Sequence, residues 1–200
     1  MRRIVVPVIV VPMLLLMLAT PAFAAPPLKE SGTSMSFSSG STVCTEGGSP
    51  TCTDTWVDAF SVSPDTIVVC LSSYTYSTRT YRLISQEYGC SETSSAALTF
   101  TSDFSVALGD TSVTVFEYNC GPRRCTEGGS RTVTVSALDT AVGPISTSSG
   151  RSSFKDGSCT YRYSFTDQSA ELAGTMTIDG VTMDQWGWGS VSEYSTTVRC

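Results

Sequence analysis

Residues 111–118 read Thr-Ser-Val-Thr-Val-Phe-Glu-Tyr, and residues 131–138 read Arg-Thr-Val-Thr-Val-Ser-Ala-Leu. In both, apolar side chains alternate with hydroxyl or charged ones. Successive side chains of an extended strand point to opposite faces, so this alternation buries one face and wets the other. A helix would need apolar residues three and four apart. Residues 53–62 and 66–76 are rich in Val, Ile, Thr, Tyr and Trp, which suit a pleated, half-buried surface. Residues 173–178, Ala-Gly-Thr-Met-Thr-Ile, run into Asp179-Gly180, a strong turn signal. Such segments recur at roughly ten-residue intervals with Gly, Pro, Asp and Ser between them, the spacing of a sandwich or barrel. No comparable helical period exists beyond the N-terminal region. The fold class is all-β.

The hexamer Cys-Thr-Glu-Gly-Gly-Ser occurs at 44–49 and again at 125–130. Cys44 to Cys120 and Cys125 to Cys200 span nearly equal lengths. Leu98–Asp103 can be laid over Gly174–Asp179, and Tyr88-Gly89-Cys90 over Gly157-Ser158-Cys159. Matched lengths around an identical hexamer predict two tandem β-sandwich-like repeats, 43–120 and 121–200, after an N-terminal segment 25–42. Units of about 80 residues have marginal cores and are commonly stapled by disulfides.

The N-terminus supplies the compartment. Arg2 and Arg3 precede an apolar run from Ile4 to Leu18, and Ala22-Phe23-Ala24 places small residues two apart. This is the pattern of a signal peptide cleaved after Ala24, predicting a secreted, extracellular protein with no membrane span in its mature form. The chain has 8 cysteines, and an even number in an exported protein reads as disulfides. Eight cysteines allow 105 connectivities. Nearest-neighbour pairing gives Cys44–Cys52, Cys70–Cys90, Cys120–Cys125 and Cys159–Cys200. Repeat symmetry would instead match Cys159–Cys200 with Cys90–Cys120. We favour the nearest-neighbour set. Basic residues are nearly all arginine, a composition typical of GC-rich bacterial coding.

Composition excludes several chemistries. There is no histidine among 200 residues, so His-based triads and His metal sites are impossible. A formal net charge of −6 argues against a nucleic-acid partner. Asp58, Glu87, Glu92, Asp110, Glu117, Asp184 and Glu193 could act as paired carboxyls, but their spacing groups none of them. Asp179 to Asp184 is too sparse for a calcium loop. Lys155, the candidate base of a Ser-Lys dyad, lies in a turn-like Phe-Lys-Asp-Gly. The expectation is a non-catalytic protein with a binding or structural role and no cofactor or metal. Its partner is an unidentified extracellular ligand, a glycan or a protein.

Three features are candidate sites. Gln185-Trp-Gly-Trp-Gly189 places Trp186 and Trp188 two apart, on one face of a strand, with glycines beside them. Tyr74 and Tyr76 repeat this spacing, as do Tyr161 and Tyr163. Flat aromatic rings on a β scaffold can pack against the apolar faces of sugars, and secreted β-sandwich carbohydrate-binding modules are similar in this general sense. Trp56, within a Thr/Val strand, reads as core. Arg123 and Arg124, between Cys120 and Cys125, form a candidate interaction tip. Finally, Cys44-Thr-Glu-Gly-Gly-Ser-Pro-Thr-Cys52 resembles the inhibitory loop of Bowman–Birk protease inhibitors in closure length, in a Thr after the first Cys and in a late Pro. That resemblance implies protease inhibition with Glu46 in the specificity pocket. Gly47 stands where the family has Ser, and the second hexamer lacks a closing cysteine.

Overall fold

The computed structural model describes residues 27–200; the signal peptide read at 1–24, with its cleavage site, lies outside them. Ten strands follow in order: β1 Leu28–Thr45, β2 Thr51–Ser63, β3 Thr66–Ser77, β4 Leu83–Ser94, β5 Leu98–Phe100, β6 Val106–Cys120, β7 Cys125–Ala141, β8 Ser146–Asp156, β9 Cys159–Ile178 and β10 Val181–Arg199. Every pairing is antiparallel. Going round the sheet, β1, β2, β3, β4, β6, β7, β9 and β10 each pair with the next, and β10 returns to β1. This is a closed, eight-stranded, up-and-down barrel, in which every barrel strand has a paired neighbour on each side. Among the described residues no helix is long and apolar enough to cross a membrane.

The period-two pattern explains the barrel's contents. Val113 and Val115 of β6, Val133 and Val135 of β7, and Val57 and Ala59 of β2 all point inward and are fully or almost fully buried. They meet Phe37, Ile67, Val69, Leu71, Leu172 and Met176 in one core. A barrel of this strand number has an interior that side chains can fill. Closure brings strands very close at its seams. A Cβ on Gly89 would lie 1.9 Å from the Thr114 carbonyl oxygen of β6, and one on Gly174 would lie 2.0 Å from that of Leu138 in β7. Only glycine lets the backbones approach so closely there.

The arrangement differs from two tandem sandwiches. Strands of both halves share one sheet: β6 joins β7 across the halfway point, and β10 of the second half closes onto β1 of the first. Residues 28–42, expected as a separate segment, lie within β1. The two hexamers occupy different settings. Residues 46–50 form the β1–β2 turn, whereas 125–130 lie within strand β7. The positive-φ glycine is Gly47 in the first and Gly129 in the second, which are not matching positions. Identical residues are folded differently because their strand partners differ.

The four disulfides are Cys44–Cys52, Cys70–Cys90, Cys120–Cys125 and Cys159–Cys200. Each staples one hairpin: β1–β2, β3–β4, β6–β7 and β9–β10. The first three join residues that face each other directly in the register. Four disulfides are consistent with an oxidising, extracellular location.

Three barrel strands overshoot the barrel. β9 pairs with β7 only through residues 172–178, and its earlier part, 159–169, pairs with β8 instead. β1 pairs with β2 only from Ser36 onward, while Leu28 to Met35 pair with β10 alone. The result is a four-stranded extension, ordered β8, β9, β10, β1, protruding from one end of the barrel. Its outer face carries aromatic residues, with Phe154 stacked on Tyr161 at 4.8 Å and Tyr163 tilted against Phe165 at 5.8 Å.

Candidate functional site: an exposed tryptophan face

Within the barrel, β10 turns Gln185 inward, where it is buried. Alternation therefore points Trp186 and Trp188 outward. They are 63% and 48% exposed. Register then assembles a cluster that the sequence does not announce. Gly40 of β1 lies between Trp186 of β10 and Trp56 of β2, directly opposite each. With no side chain at Gly40, the two indoles meet above it edge to face, with centroids 5.4 Å apart. A Cβ on Gly40 would lie 2.6 Å from the Trp56 ring. Trp56 is thus on the outer face, half-buried against Trp186, and not in the core; its inward neighbours Thr55 and Val57 occupy the interior. The glycine that makes room for the rings is Gly40, since Gly187 alternates with the tryptophans and faces inward.

Trp188 forms a ridge between two grooves. One, about 360 Å³, is walled by Trp56, Trp186, Val142 and Glu171. The other, about 520 Å³, is walled by Asp58, Phe60, Tyr88 and the Cys70–Cys90 pair. Ser38 borders both. These sizes suit small-ligand clefts. The row across the strands is Glu171, Trp188, Ser38, Asp58, so carboxylates stand on both sides of the ring. Three strand steps separate Glu171 from Asp58, roughly 14 Å between backbones.

The other sequence-derived candidates lie apart. Tyr74 pairs across from Asp54 and Gln86, nearer the β1–β2 turn, and Tyr76 lies beyond it. The Tyr76 hydroxyl donates to Asp54 Oδ1 at 3.5 Å; burial and the Asp54 charge push that hydroxyl's pKa up. Neither tyrosine borders the grooves beside Trp188. Arg123 and Arg124 are exposed in the β6–β7 turn. Glu46 is exposed in the bend of the β1–β2 turn, beneath which Thr45 and Thr51 join hydroxyls at 2.9 Å. Lys155 lies within β8, not in a turn.

Two polar groupings were not visible in the sequence. Glu87 of β4 and Glu117 of β6 face each other directly, an unfavourable pairing of like charges. Arg131 relieves it, reaching Glu87 at 2.8 Å, Glu117 at 3.0 Å and Asp179 at 2.8 Å. Burial acts to lower the Arg131 pKa, but the bonds and charges of Glu87 and Asp179 hold it above its ordinary value. Inside the barrel, Asp139 of β7 is 1% exposed and accepts from Gln185 Nε2 at 2.7 Å. Burial pushes its carboxyl up to about 6, against the lowering effect of that hydrogen bond. Among protein atoms, Asp139 Oδ1, Gln185 Oε1 and Ser39 Oγ have no hydrogen-bond partner. Both groupings depend on which strands adjoin, and period-two patterning carries no such information. Among the described residues no group of three or more His, Cys, Asp or Glu could hold a metal ion.

Comparison with protein-family models, with curated proteins and with solved structures yields no match. The site's own geometry is therefore the ground for a functional reading.

Proposed function

We propose that this is a secreted, non-catalytic binding protein whose Trp186–Trp188 face takes a carbohydrate chain of the cell envelope or of an extracellular polymer. The exposure of both indoles on one barrel strand carries the reading. Exposed rings of this size leave apolar surface in water, and a contiguous patch of that kind marks an interaction site. Sugars offer flat apolar faces for the rings and hydroxyls for Glu171, Asp58 and Ser38. Strand β10 is hydrogen-bonded on both sides here, so little order is lost on binding. The N-terminal leader pattern and four disulfides support export.

The test is co-sedimentation of the oxidised mature protein with washed bacterial envelopes and insoluble neutral polysaccharides, beside a Trp186→Ala/Trp188→Ala variant. Both side chains lie on the outer face, away from the core, so the variant is expected to fold with a cooperative thermal transition, lowered only by loss of the Trp56–Trp186 contact. Retention of the native protein, with affinity about tenfold or more weaker in the variant, is expected. Equal retention of both forms, or retention of neither, overturns the proposal.

A further inference from the structure

The inner face of the barrel continues onto the extension and changes character there. Met35 and Val191 still pack against the core. Beyond them, this face has no apolar side chain on any of its four strands. Register places Lys155, Thr160 and Arg199 in one row, Ser153, Arg162, Thr197 and Lys29 in the next, and Arg151, Ser164, Ser195 and Ser31 in a third. Directly opposed residues of antiparallel strands share a face, so Lys29, Arg151, Lys155, Arg162 and Arg199 all project from the same side. All five are exposed. The ion pairs among the described residues all belong to Arg131, so these five cations are unpaired. The remaining side chains of this face are Ser or Thr, apart from Gln168 and Glu193. The chain carries a formal net charge of −6, yet concentrates five cations, including both lysines of the described residues, on one small sheet face.

That face is grooved. One depression, about 510 Å³, is lined by Arg151, Ser164, Glu193 and Ser195. A second, about 460 Å³, is lined by Arg151, Arg162, Ser164 and Thr197. They share Arg151, Ser164 and Ser195 and so form one trough. Arg151 and Arg162 line it, and Lys29, Lys155 and Arg199 stand in the same or neighbouring rows of the face, with rows about 7 Å apart and strands about 4.8 Å apart.

We infer that this trough binds an acidic polysaccharide, a linear sugar chain bearing regularly repeated carboxylates. Charge complementarity selects an anion, and arginine binds carboxylates through paired hydrogen bonds. The Ser and Thr hydroxyls between the cations match a ligand dense in hydroxyls. The face has no aromatic side chain on which nucleic-acid bases could stack. It has no apolar side chain to enter a bilayer, as an interfacial membrane binder requires. This site lies on the opposite face from the tryptophans, and the inference does not rest on the function proposed for them.

The experiment is a titration of the mature protein with polygalacturonate at about 20 mM and about 500 mM NaCl, with neutral dextran as control. Strong weakening at high salt is expected, because exposed charges are screened. An Arg151→Glu/Arg162→Glu variant, substituted only at exposed positions, is expected to lose at least about tenfold in affinity. Its thermal transition verifies folding, and an Arg151→Gln/Arg162→Gln variant is expected to show a smaller loss. The Trp186→Ala/Trp188→Ala variant is expected to bind polygalacturonate as the native protein does, which separates this site from the other. Absence of binding at low salt overturns the inference, as does binding that survives the charge reversals. Tighter binding to double-stranded DNA or to phosphatidylserine vesicles than to polygalacturonate overturns the choice of polysaccharide.

Discussion

Strands β1, β9 and β10 run through both the barrel and the extension, and the same face is built differently in each. In the barrel, inward positions hold Phe37, Leu172 and Met176, all buried. A few residues along the same strands, the continuous face holds Lys29, Arg162 and Arg199, all exposed. On β9 the large apolar residues change sides at the same point. Tyr161, Tyr163 and Phe165 occupy odd positions on the outer face, whereas Ala170, Leu172 and Met176 occupy even positions on the inner one. The barrel encloses its inner face, so water is excluded and apolar side chains contribute there. The extension is a single layer with water on both sides. It can only shelter one face by laying large rings over small neighbours, as Tyr194 does over Gly32 and Phe165 over Gly150. Its other face remains wet and is available for charge.

Truncating the two halves of one strand should give the largest contrast. Phe37→Ala, within the barrel, is expected to cost about 3–5 kcal/mol in urea unfolding. Thr33→Ala, four residues away on the extension, is expected to stay within about 0.5 kcal/mol. Comparable losses at both sites would mean that the extension has a hidden core.

The disulfides sharpen the same division. Cys70–Cys90 closes 20 residues of the barrel and Cys159–Cys200 closes 41 at the tip of the extension. Chain entropy alone ranks the second higher, about 4 against about 3 kcal/mol. If the extension opens independently of the barrel, the order reverses. Cys70→Ser/Cys90→Ser then lowers the global transition by about 3 kcal/mol. Cys159→Ser/Cys200→Ser lowers it less, but exposes Arg151 and Arg162 to trypsin under native conditions. A larger global loss for the tip pair would show that the two regions unfold as one.

Asp139 probes how dry the barrel half is. Its folded carboxyl titrates at about 6, above the ordinary 3.8. A group raised in this way leaves stability undiminished below its unfolded value and withdraws it as pH rises through the folded value. Stability should therefore fall between pH about 4 and about 6 and then level off. Asp139→Asn is expected to remove this slope and to raise stability at pH 7.5 by about 2 kcal/mol. Its amide can donate where Gln185 Oε1 has no partner. Urea midpoints measured at pH 4 and 7.5 check this; an unchanged slope would place the titration elsewhere.

Much of this protein was legible as a string of residues. Alternation at 111–118 and 131–138 marked strands β6 and β7, each with one face to bury, because the pleat has a strict period of two. The same rule put Trp186 and Trp188 on one face. Adjacent cysteines lay within reach of each other once hairpins formed. Three things were decided only by tertiary structure. Closure of β10 onto β1 merged the halves into one barrel and gave the two identical hexamers different conformations. Register set Trp56 over Gly40 beside Trp186, gathered Glu87, Glu117 and Asp179 around Arg131, and aligned five scattered cations on one sheet face. The point at which β2 and β7 stop pairing decided where an enclosed face became a wet one. The physical reason is the same in each case. Alternation says which residues share a side of one strand, but two strands' side chains meet only through a register set by long-range pairing.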